Sequence, residues 1–124
     1  MTDERLATVR AALDAARESW AGDGETSLAV GVDYVPGEPV EVVARKRGRR
    51  WDFGDGGRVV RLAGRPAGWL AVAERVVAEE GMNVNRAGVV FVAAFERSCR
   101  DLAVLALRLG EVSHAVHAEL LELE

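Results

Sequence analysis

The sequence predicts an α+β fold: an antiparallel sheet with helices on one face, in the order α-β-β-β(β)-α-β-β-α. Three observations carry this. Apolar residues recur at helical spacing at both ends of the chain, they alternate with a period of two in between, and the period changes at clusters of glycine and proline. With 124 residues, a single domain over 1–124 can bury a core without staples.

The elements follow in order. Leu6, Val9, Leu13, Ala16 and Trp20 recur at steps of three and four, a helical seam that Thr2 or Asp3 can cap and that Gly22 and Gly24 end. Leu28, Val30, Val32 and Tyr34 alternate with smaller or polar residues as a first strand, stopped by Pro36, Gly37 and Pro39. Val40, Val42 and Ala44 begin a second strand, and a third runs from Arg49 to Phe53. A fourth from Arg58 to Leu62 is expected, with 54–57 as its hairpin turn and Asp55 and the glycines supplying positive φ. Pro66 suits a first helical turn, and Trp69, Leu70, Val72, Ala73, Val76 and Val77 form one face of a helix closed by Gly81. Met82 to Asn85 and Val89 to Phe95 read as a second hairpin. A long helix from Ser98 to Leu123 ends the chain.

In that last helix, at 100° steps, Asp101, Arg108, Glu111, Glu119 and Glu122 share a sector of roughly a quarter turn. Nearly all the rest is apolar. An arc this wide buries two surfaces, one on the sheet and one on another helix or a second subunit. Leu102, Leu105, Leu109, Val112, Val116 and Leu120 are therefore the candidate dimer or helix interface, and a homodimer is expected.

The net charge of -4 conceals segregation: residues 45–65 hold eight bases against Asp52 and Asp55, while acids dominate on either side. Within this block Arg45, Lys46, Arg47, Arg49, Arg50 and Trp51 are the candidate contacts to a partner or a phosphate. Arginine favours planar, bidentate contacts to carboxylate or phosphate. Three readings stand open: a solvated hairpin tip whose charges protect a strand edge, a grip on an acidic protein, or a grip on nucleic acid with Trp51 offering a stacking surface.

The catalytic readings fail on spacing. The letters DFG at Asp52–Gly54 lack the phosphate loop and catalytic loop of a kinase. A calcium loop needs a closing glutamate where Ala63 stands, and a phosphate loop needs a lysine where Arg58 and Val59 stand. Ala44, two residues before Lys46, removes the carboxylate of a strand-borne nuclease motif. Glu111, His114 and His117 have no second Glu-x-x-His pair to complete a di-iron site. Cys99 and His114 lie on one helix, fifteen residues or about 22 Å apart. No nucleophile, base and orienting group converge, so a non-enzyme without metal or cofactor is expected. One cysteine and the absence of an apolar run near the roughly 20 residues of a membrane span give a cytoplasmic reading without membrane contact.

The element order resembles that of the small dimeric chaperones of bacterial secretion systems, a likeness of order alone. A second resemblance covers a little over half the chain, Arg50 to Glu124. An aromatic strand entering an aspartate-glycine turn (Asp55, Gly56), an apolar segment ending in Leu62 and Gly64, then a helix, "GMNVNRAGVVFV" and a long final helix resemble a bacterial and phage-associated domain of unknown function, the family numbered eighteen twenty-eight. That family implies no activity, cofactor or catalytic residue, and its pattern lacks the basic run at Arg45–Arg50. Together these observations lead to an expected cytoplasmic, homodimeric protein-binding module, adaptor or chaperone-like in a phage-related setting, with nucleic-acid binding through Arg45–Arg50 as the alternative.

Overall fold

A computed structural model describes residues 3–123; Thr2, one of the two expected caps, lies outside the described residues. The elements are α1 (Asp3–Glu18), β1 (Gly24–Val35), β2 (Glu38–Arg47), β3 (Arg50–Gly54), α2 (Arg58–Ala63), α3 (Trp69–Glu79), β4 (Asn83–Val84), β5 (Val90–Phe95) and α4 (Cys99–Leu121). The strands form one antiparallel sheet in the order β1-β2-β3-β5-β4. The predicted α+β architecture is what the chain adopts.

One element departs from expectation. Arg58 to Leu62, expected as a fourth strand, lies in the helix α2, so Gly54–Gly57 joins a strand to a helix and is not a hairpin turn. Val59, Val60 and Ala63 are its buried residues, a spacing of one and three that only a helix puts on one side. Gly56 and Gly57 supply the left-handed turn at φ of 70° and 75°, whereas Asp55 takes no positive φ.

Helix α4 occupies the middle of the helical layer. It crosses β1, β2, β3 and β5 on one side and meets α1, α2 and α3 with its flanks. Ser98 caps it, its hydroxyl accepting the Asp101 N–H at 3.1 Å. The approach to β1 is close at Gly110: a Cβ there would stand 2.6 Å from Val30 Cγ2. At the end of α3, Gly81 turns at φ 69° and Met82 N–H reaches back to Val77 O at 2.9 Å, closing the helix as a Schellman turn does.

Gly110→Ala should therefore destabilise the fold by about 1–3 kcal/mol through overpacking, despite an intrinsic helix gain of roughly 1 kcal/mol. In a denaturant-unfolding cycle the double variant Gly110→Ala/Val30→Ala should be more stable than the sum of the single effects; strict additivity would deny the contact.

Candidate interaction surface

Because every helix lies on one side, the other face of the sheet is uncovered. The strand registers set its side chains in rows. Ser27, Val43, Gly54, Phe91 and Asn83 form one, Glu25, Arg45, Asp52 and Ala93 the next, and Arg47, Arg50 and Phe95 the third. The opposite rows, such as Leu28 with Val42 and Ala44 with Phe53, point into the core and are buried. On the uncovered face β5 contributes Phe91, 36% exposed, and Phe95, 79% exposed, with Ala93 between them. Gly54 adds no side chain, which leaves a hollow of about 430 Å³ between Val43 and Phe91.

The basic hairpin lies at one end of this face and is tied down. Gly48 N–H donates to Asp23 Oδ1 at 2.8 Å, and Arg49 O accepts the Glu96 N–H at 2.7 Å. Arg45 pairs with Glu25 through Nη2 at 2.6 Å, and Arg50 with Asp52 at 3.0 Å. Lys46 points to the other side of the sheet, its Nζ 3.9 Å from Glu96 Oε2. Among the described residues only Arg47 and Arg49 of the five have no acidic partner.

Trp51 is not part of this surface. Its alternation partner in the core is Phe53, and its exposure is 0%. The ring stacks on Phe53 at 5.9 Å and 10°, meets Trp20 at 5.9 Å, and donates from Nε1 to Glu96 Oε1 at 3.2 Å. The same oxygen accepts Arg17 at 3.3 Å. A buried, hydrogen-bonded indole cannot stack on a base or a partner, which corrects the expectation for this residue. For the α4 residues, expected at a dimer or helix interface, the structure gives the helix alternative. Leu102, Leu109, Val112, Val116 and Leu120 are buried and Leu105 is partly buried against the chain's own core, so the wide apolar arc of α4 calls for no second subunit.

The aspartate-glycine turn has a part that spacing did not reveal. Asp55 is buried, 4% exposed. Its Oδ1 accepts the N–H groups of Gly57 at 2.9 Å and Val90 at 3.0 Å, and its Oδ2 accepts the Ser113 hydroxyl at 2.7 Å. Tyr34 OH lies 2.6 Å from Ser113 Oγ, and the Tyr34 ring packs 5.3 Å from that of His117. This network links β1, the β3–α2 turn, β5 and α4. Burial raises the Asp55 pKa against the opposing hydrogen bonds from Ser113, Gly57 and Val90. Burial also pushes the Tyr34 hydroxyl up to about 12. With Tyr34, Asp55, Ser113 and His117 all buried, the network has the character of a structural lock.

The remaining reactive side chains do not converge. Glu111 is exposed, His114 half-buried and His117 buried, although they follow at three-residue steps. Burial, then the neighbouring Asp14, pushes the Cys99 thiol up to about 11, away from the thiolate that a nucleophile needs. Comparisons with protein-family models, curated proteins and solved structures each give no match.

The pH dependence of stability should carry the mark of Asp55. Between its ordinary value of 3.8 and its raised folded value, the native state holds a proton that the unfolded chain has released. Its contribution is thus fully present below 3.8 and falls as pH rises through the folded value. Wild-type stability relative to Asp55→Asn should decline with rising pH across that window; a flat difference would contradict it.

Proposed function

We propose that this protein is a non-enzymatic protein-interaction module that engages another polypeptide through the uncovered face of its sheet. The observation that carries the reading is the apolar stripe Phe91–Ala93–Phe95 beside Val43 and the Gly54 hollow, on the sheet face that no helix covers among the described residues. A strand apolar on both faces in a sheet covered on one side exposes surface that association would bury. Arg47, in the row of Phe95, suits a partner with carboxylates nearby.

The nucleic-acid alternative draws less support. Of its five bases, Arg45, Lys46 and Arg50 already face acids of the same chain, and Trp51 offers no stacking surface. Among the described residues no helix is long and apolar enough to cross a membrane. A cytoplasmic setting follows from the same reading, and an adaptor or chaperone-like role in a bacterial or phage-related context is what the family resemblance adds to it.

A photo-crosslinking amino acid at Ala93, in the middle of the stripe, should capture protein in the native cell. The same group at Glu111, on the exposed side of α4, should not. Adducts to nucleic acid, or no adduct at Ala93, would contradict the proposal.

A further inference from the structure

Resting on that reading of the uncovered face, we infer that its partner is a second copy of this chain, packed sheet to sheet about a two-fold axis parallel to β3 and β5. The inference comes from the register between these two central strands. Phe95 pairs with Arg50, Ala93 with Asp52 and Phe91 with Gly54, so each row sets an apolar β5 residue beside a β3 residue that is charged or lacks a side chain.

A two-fold axis running midway between β3 and β5 lays the β5 of one protomer over the β3 of the other and leaves the rows in step. Phe91 then enters the hollow over Gly54 of the partner subunit. Phe95 comes over the guanidinium of the partner's Arg50, and Ala93 over the partner's Asp52. Across all three rows no charge meets its like, a ring lies over a cation, and a large side chain meets an empty position. Two sheets packed in this way stand about 10 Å apart with β3 and β5 aligned at the axis, and the twist of each sheet turns the outer strands away, which keeps the central strands in closest contact. The interface involves neither α4 nor the core.

The position of Gly54 also supplies a selective test. A Cβ there would meet Val90 O at 3.5 Å and Val89 Cγ1 at 3.6 Å, ordinary contact distances, and its φ is not in the left-handed region, so the fold accepts a side chain where the hollow would be lost. Phe95, 79% exposed, can likewise be changed without touching the core.

The test is sedimentation equilibrium on the purified full chain over about 1–200 μM, a span suited to an interface at the small end of the range. The wild type should reach twice the 13.4 kDa chain mass, and Gly54→Val and Phe95→Asp should each raise the dimer dissociation constant at least tenfold with unchanged far-ultraviolet circular dichroism. Phe95→Asp keeps the test decisive should Gly54→Val fail to fold. A dimer unaffected by Phe95→Asp would overturn the inference. A wild-type monomer throughout, with Ala93 adducts to other proteins in the cell, would overturn it and leave the interaction reading standing; a monomer without any adduct would overturn both.

Discussion

The structure depends on one buried carboxylate. Asp55 directly follows β3, and its two oxygens gather the turn that starts α2, the first residue of β5 and the middle of α4, while Ser113 extends the connection to Tyr34 near the end of β1. Among the described residues no buried side-chain polar atom is left without a partner, so the node carries no desolvation debt beyond that of the carboxylate itself. A buried group with three donors specifies geometry in a way that apolar packing alone does not. It admits one register of α4 over the sheet, the register in which Ser113 faces Asp55 and Gly110 faces Val30.

That constraint decides what remains for function. Held at its middle by Asp55, with α1 and α3 against its flanks, α4 spends its apolar arc inside the chain. Among the described residues the helical layer therefore offers no broad apolar surface, and the sheet offers one. The basic hairpin, fixed by Asp23 and by Glu96, acts as a rim to that surface: two of its arginines hold acids on the same face, and its lysine steadies the Glu96 that also holds Trp51.

Much of the fold was legible because its periods are unambiguous. Leu28 to Ala44 alternate as strands, and α4 keeps its apolar residues in register over six turns. The short run RVVRLA was ambiguous, since Val59 and Val60 fit a strand as well as a helix and only the burial of Ala63 with them separates the two. Trp51 was grouped with the arginines beside it; its alternation with Phe53 is the signal that it faces the core. The arc of α4 was read correctly as two buried faces; its second cover proved to be the chain's own helices, a matter of layer geometry that periodicity does not contain. The signal for the uncovered face was present in β5, where Phe91 and Phe95 share one parity while Val90, Val92 and Ala94 supply the other. The turn at Gly57 is local to Asp55, but nothing local marked its burial, since its partners Val90 and Ser113 lie 35 and 58 residues away.

Native-state hydrogen exchange at the amides of Val90 and Gly57 tests the central claim most directly, because both donate to Asp55 Oδ1. If the carboxylate node holds α4 to the sheet, these two amides exchange only through global unfolding, with the same free energy and denaturant dependence as the slowest amides of α4. Exchange at Val90 and Gly57 through a local opening, insensitive to denaturant while α4 stays protected, would contradict it.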